Sequence, residues 1–163
     1  MSYPGTNNMM LWGCILCFTS VVFFGLDGKK IPIDYFTLMC NARAWTLSLG
    51  FSLCFGAMFS KTWISYRLST ASSKKKIKES QTYIMLAAFC ALDAIVLIIW
   101  HLQSPMARNV EVFELIDPEG TEEDVKIQPQ LEHCDANLVW YGIIYGYKGL
   151  LCIFGLFLAY ETR

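Results

Sequence analysis

QTYIMLAAFCALDAIVLIIWHL, residues 81–102, carries a single Asp, Glu, Lys or Arg, Asp93. As a helix rising 1.5 Å per residue it is about 33 Å long, enough to cross a bilayer core of about 30 Å. A strand is excluded by length, because buried strands run about four to eight residues. Three further segments have the same character: 8–26, 37–63 and 138–160. A soluble bundle would need a polar face on each helix, and these runs lack one. The run at 8–26 is also unlike a secretory signal peptide, since it has no basic start, is too long and has no A-x-A-like exit. Of 163 residues, 55% are hydrophobic and 17% charged, against roughly a quarter charged in soluble chains. The expected fold is therefore all-α: a polytopic transmembrane bundle with four spans.

The charges between the spans orient them. Segment 64–80 carries Arg67, Lys74, Lys75, Lys76 and Lys78 against one acid, Glu79. Segment 103–137 carries Arg108 and Lys126 against nine acids, from Glu111 to Asp135. Lys and Arg are retained on the cytoplasmic side, so 64–80 is expected inside, and 27–36 and 103–137 outside. The net charge of −1 carries no indication of a nucleic-acid partner. The basic tract Lys74–Lys78 reads as an orienting signal that also attracts anionic lipid, or as a docking patch for a cytosolic protein.

This topology sorts the seven cysteines. Cys40, at the outer end of the second span, and Cys134, just before the fourth, lie on the oxidising side, where a bridge between them would persist. The alternative is two free thiols. Cys14, Cys17, Cys54, Cys90 and Cys152 sit within apolar runs and read as packing residues. Cys14-x-x-Cys17 has redox spacing but no neighbouring base or cation. His133 beside Cys134 has no second ligand cluster at zinc-like spacing, so no metal site is expected.

Two charges interrupt the spans. Asp93 and Lys148 each stand 12 residues from the inner end of their helix, a depth of about 18 Å. Charges so deep face protein rather than lipid. Equal depth suggests that they pair; a polar cavity or a partner on another helix are the alternatives. Small residues recur at helical spacing: Ser48, Ser52, Gly56 and Ser60 on the second span, and Gly142, Gly146, Gly155 and Ala159 on the fourth. Such stripes let helices approach closely in lipid. No Ser/His/acid set, phosphate-cradling glycine loop or H-E-x-x-H motif occurs, so no enzymatic activity and no cofactor are expected.

ARAWTLSLGFSLCFGAMFSKTW (42–63), IQPQLEHC (127–134) and YGYKGLLCIFGLFLAYETR (145–163) closely resemble the membrane domain of metabotropic GABA-B receptors, a subgroup of the class C G-protein-coupled receptors. The resemblance covers essentially the whole chain, whose four spans look like the second to fifth helices of seven. It implies a fragment, residues 1–163, of a heptahelical domain at the plasma membrane. Receptors of this kind bind GABA in an extracellular flytrap domain, work as heterodimers and activate inhibitory G proteins. The resemblance thus implies a second receptor subunit, a G protein and membrane lipid as partners, with GABA itself not bound by this segment.

The resemblance also assigns residues. Cys40 and Cys134 match the cysteines tying the third helix to the second outer loop. Lys61 matches a lysine that forms an inner ionic lock with an acid on the sixth helix. Glu161 matches a glutamate that meets a third-helix histidine of the partner subunit; here that position is Tyr66, so the latch would join a phenol to a carboxylate without a titrating imidazole. The tract Lys74, Lys75, Lys76 and Lys78 resembles the G-protein-coupling subunit, whereas QPQLEHC and LAYETR resemble the ligand-binding one. The rival readings are a self-contained four-helix membrane organiser, which lacks the CCG and W…C…C loop motifs of such proteins, and a membrane redox enzyme built on Cys14 and Cys17, which lacks a cofactor site.

Overall fold

Pro4 opens the first helix, at the position where its missing N–H costs nothing. The structure, a computed structural model, describes residues 4–26, 32–70, 80–115 and 126–162. Four helices run in the order α1 (Pro4–Phe24), α2 (Ile33–Thr70), α3 (Ser80–Gln103) and α4 (Leu138–Glu161). All four are long and apolar enough to cross a membrane. Between α3 and α4 stands an antiparallel hairpin of β1 (Ala107–Val112) and β2 (Gln130–Asp135), with Arg108 opposite Cys134. The all-helical expectation thus holds for the spans, while segment 103–137, expected as a loop, contains two strands. The alternation Val110, Glu111, Val112 was the available signal, but it is too short to stand out.

α2 is much longer than the apolar stretch that marks it. Its 38 residues extend about 57 Å, starting four residues before the expected 37–63 and ending seven after. The added turns hold polar residues such as Asp34 and Arg67, which a hydropathy reading discards but which water tolerates on a helix beyond the lipid. α4 starts at a built cap: the Asn137 side-chain oxygen accepts from the Val139 N–H at 3.0 Å.

α2 is the axis against which the other elements pack. Its buried residues include Ser48, Ser52, Gly56 and Ser60, the small-residue stripe. Against α1 the contact is backbone to backbone. A Cβ on Gly13 would lie 2.6 Å from the Cys54 nitrogen, and one on Gly50 would lie 2.9 Å from the Cys17 nitrogen. Only glycine permits that approach. The glycines of α4 behave differently: Gly142 and Gly146 face open space within the chain, and only Gly155 is packed, against Phe55 and Phe59. The Gly142–Gly146 part of the α4 stripe is therefore not used for packing among the described residues, whereas Gly155 is.

The core sits towards the hairpin end, where Phe36, Cys40, Leu97, Trp100, Met106 and Ile144 are buried together. Trp100 stacks on Trp140 and meets Tyr141 edge-on. Outside this core the helices are apolar outward: Phe18 is 73% exposed and Leu156 71%. Water would not tolerate so continuous an apolar surface, and a bilayer requires it.

Candidate functional site: a buried charge cluster beneath a cross-linked hairpin

Asp93 stands thirteen residues into α3, and Lys148 thirteen residues before the end of α4. If the two helices enter the membrane from the same side at those ends, both charges lie about 20 Å deep. Lys148 Nζ approaches Asp93 Oδ2 at 2.9 Å, with the Asp93 side chain fully buried and that of Lys148 8% exposed. The stripe on α2 completes the cluster. Lys148 Nζ also donates to Ser52 Oγ and to the Ser48 carbonyl, each at 3.1 Å. Ser52 Oγ in turn donates to Asp93 Oδ2 at 2.5 Å. The three ammonium protons thus each have an acceptor, and the ring of Phe51 faces the cation at 4.7 Å.

The cluster joins three helices through one carboxylate oxygen. Asp93 Oδ1 and Ser48 Oγ are buried without a partner among the described residues. Burying both charges costs several kcal/mol per ion before their attraction is counted, so the intact pair adds little net stability while removal of one partner is costly. Ser48 and Ser52 read from sequence as small packing residues; nothing in an i, i+4 serine spacing distinguishes a packing stripe from a set of acceptors.

Above the cluster lies a cavity of about 500 Å³ between the C-terminal end of α1, α2, α4 and the hairpin. Phe24, Phe51, Trp100 and Tyr141 give it apolar walls, and Lys148 and Arg43 also line it. The Arg43 guanidinium donates to the Leu26 carbonyl at 2.7 Å and lies over the Phe24 ring. Arg43 is a residue the sequence reading passed over, since an arginine near a helix end usually just snorkels. Apolar walls with a cation suit an apolar molecule bearing a hydrogen-bond-accepting group.

The hairpin forms the roof. Cys40 on α2 and Cys134 on β2 are joined by a disulfide, with Cα atoms 5.9 Å apart and a sequence separation of 94. Arg108 and Glu132 form an ion pair across the two strands, and Arg108 also lies over the Phe36 ring. Cross-strand pair, ring contact and disulfide together hold β1 and β2 against the N-terminal part of α2.

The remaining sequence-selected residues are spread along the chain. Lys61 donates to the Asn7 side chain, joining α2 to α1 near the opposite end of the bundle. Tyr66 is half-buried against the Trp63 ring, and Glu161 is exposed at the end of α4. Among the described residues Tyr66 and Glu161 do not pair with each other. Lys74, Lys75, Lys76 and Lys78 lie outside the described residues. Cys14 and Cys54 bring their sulfurs to 3.7 Å across the close α1–α2 contact. No group of three or more His, Cys, Asp or Glu side chains among the described residues could hold a metal ion.

Comparison with known proteins adds an independent finding. The family model described as "7 transmembrane sweet-taste receptor of 3 GCPR" matches residues 1–163. The human gamma-aminobutyric acid type B receptor subunit 2 is 38% identical over 167 residues, covering 100% of this chain and 18% of the relative. Subunit 1 of Rattus norvegicus is 40% identical over 169 residues, covering 99% of this chain and 18% of the relative. Subunit 2 of Caenorhabditis elegans is 40% identical over 167 residues, covering 100% of this chain and 19% of the relative. The chain spans about a fifth of the length of the curated relatives it matches.

Proposed function

Because the chain belongs to the class C G-protein-coupled receptors, the family whose model it matches from end to end, we propose that it relays extracellular GABA binding to an inhibitory G protein as part of a receptor heterodimer. The observation that carries this reading is the 38–40% identity to both type B receptor subunits across essentially the whole chain. The chain is a multi-pass membrane segment of a receptor; its plasma-membrane location, its orientation and its partners are part of the proposal. GABA is bound elsewhere in the receptor, not by this segment.

The geometry supports a relay through α2. Its outer part is tied to the hairpin by Cys40–Cys134, its middle meets α3 and α4 at the charge cluster, and it continues to Thr70. A force on the hairpin is delivered to a helix whose far end stands where a cytosolic protein can reach it. Such a relay shifts the population between helix arrangements and needs no covalent chemistry. On this reading Lys61 locks the inner end to an acid on a further helix. Tyr66 and Glu161 meet the partner subunit's helices in the resting dimer. Lys74, Lys75, Lys76 and Lys78 contact the G protein or the lipid beneath it.

The test is a chimera. The matching stretch of rat subunit 1 is replaced by this chain, the partner subunit is co-expressed, and GABA-evoked G-protein activation is measured with surface expression as control. Activation close to the parental receptor is expected. A chimera that reaches the surface with its partner, binds GABA and stays silent overturns the relay.

A further inference from the structure

We infer that the end of the bundle opposite the hairpin holds a binding site for the phosphate of an anionic phospholipid, built where α2 leaves the bilayer and α3 enters it. A cavity of about 210 Å³ lies there, lined by Ser60, Trp63, Ile64 and Arg67 of α2 and by Gln81, Thr82 and Met85 of α3. Thr82 is the decisive residue. It is only 2% exposed, it lines the cavity, and its hydroxyl has no hydrogen-bond partner among the described residues. A buried hydroxyl without a partner calls for one. Thr82 stands in the first turn of a 24-residue helix, where backbone N–H groups lack intrahelical acceptors and the helix dipole favours an anion. The first turn itself contains no acid, Glu79 standing one residue before it in sequence. Arg67, on the facing wall, adds a guanidinium whose fork suits a phosphate.

The walls select the source of the phosphate. Trp63 and Ile64 of α2 and Met85 of α3 add apolar lining, and Trp is the residue that prefers the headgroup level of a bilayer. A free anion has no use for such a wall, whereas the glycerol and first acyl carbons of a lipid do. The volume, about seven times the roughly 30 Å³ share of one liquid water, accommodates a phosphate ester and its glycerol carbons. The site is distinct from the large cavity under the hairpin. It rests on the orientation proposed above only for which leaflet supplies the lipid, and an assay in detergent micelles is indifferent to that orientation.

The experiment is native mass spectrometry of the full chain in detergent, titrated with dioleoyl phosphatidic acid or dioleoyl phosphatidylcholine. Phosphatidic acid is expected to be retained about tenfold more than phosphatidylcholine, with the preference reduced about tenfold in Arg67→Gln and about threefold in Thr82→Val. Arg67→Lys keeps the charge, loses the fork and restores part of the preference. Inorganic phosphate in excess leaves the lipid bound; if it displaces the lipid, the pocket is a free-anion site and the proposal fails. Equal retention by wild type and both variants also overturns it. So does a preference abolished only when Lys74, Lys75, Lys76 and Lys78 are all changed to Gln. Should either variant fail to fold, a photoactivatable phosphatidic acid on the wild-type chain decides: labelling of peptides containing Trp63 or Met85 supports the site, and labelling confined elsewhere refutes it.

Discussion

Lys148→Met is the substitution that bears most on how the bundle is held. Met matches the length of the lysine stem and removes only the charge and its donors. In the native arrangement the ammonium donates to Asp93 Oδ2, Ser52 Oγ and the Ser48 carbonyl at 2.9–3.1 Å. After the change, the Asp93 carboxylate is left fully buried, with Ser52 donating to one oxygen and nothing on the other. An uncompensated buried charge of this kind costs about 3–5 kcal/mol. Asp93→Asn removes the other charge but leaves Lys148 with Ser52, the Ser48 carbonyl and the Phe51 ring, so a smaller loss of about 2–3 kcal/mol is expected, within the range for breaking one charged hydrogen bond. The double variant contains no buried charge. It should therefore lose less than the sum of the singles by at least about 2 kcal/mol, the coupling of a contacting pair. The assay is reversible unfolding of the chain in mixed micelles with increasing SDS, followed by circular dichroism, for all four members of the cycle. Losses that add to within about 0.5 kcal/mol would refute the reasoning, because independent sites behave that way.

Further outcomes follow from the same geometry. Gly50→Leu should separate α1 from α2 and destabilise the chain by at least about 1–3 kcal/mol, since even a Cβ would lie 2.9 Å from backbone of the facing helix; Gly142→Ala, which meets open space, should be neutral or gain up to about 1 kcal/mol, and SDS unfolding compares the two. Alkylation of the unreduced, unfolded chain should modify five cysteines, rising to seven after reduction, because only Cys40 and Cys134 are bridged; mass spectrometry counts them. Replacing both by Ser should cost about 2–5 kcal/mol. Lys61→Ala removes a partly exposed contact to Asn7 and should change stability by less than about 1 kcal/mol, so any larger effect on signalling in a complete receptor would belong to a contact beyond this chain.

The membrane architecture is legible in the sequence because hydropathy over twenty residues is a strong signal, and the lipid imposes helix on any such run. Asp93 and Lys148 are legible for the same reason: each interrupts an apolar run, and equal depth invites their pairing. The parts that escape are those decided by contact across the bundle. Ser48 and Ser52 are small residues in a stripe until Lys148 reaches them. Gly142-x-x-x-Gly146 has the form of a packing motif yet meets open space, whereas the closest helix contact is made at Gly13 and Gly50, outside the small-residue stripes of the sequence. The hairpin escapes because Arg108–Glu132, the ring of Phe36 and the disulfide hold short strands whose own alternation is weak. Thr82 escapes because a threonine in a first helical turn normally reads as a helix-start residue, and only its burial marks it.

The proposed relay depends on which way the chain faces: it requires the cross-linked hairpin outside and the basic tract inside, so that α2 joins two compartments. The most direct test is labelling of intact cells that express the chain within its receptor. Single cysteines introduced at Glu114 and at Lys74, in a background where Cys14, Cys17, Cys54, Cys90 and Cys152 are Ser, are exposed to a membrane-impermeant maleimide. Labelling at position 114 in intact cells, and at position 74 only after permeabilisation, is the predicted result. Labelling at position 74 in intact cells with none at 114 would invert the orientation and contradict the relay.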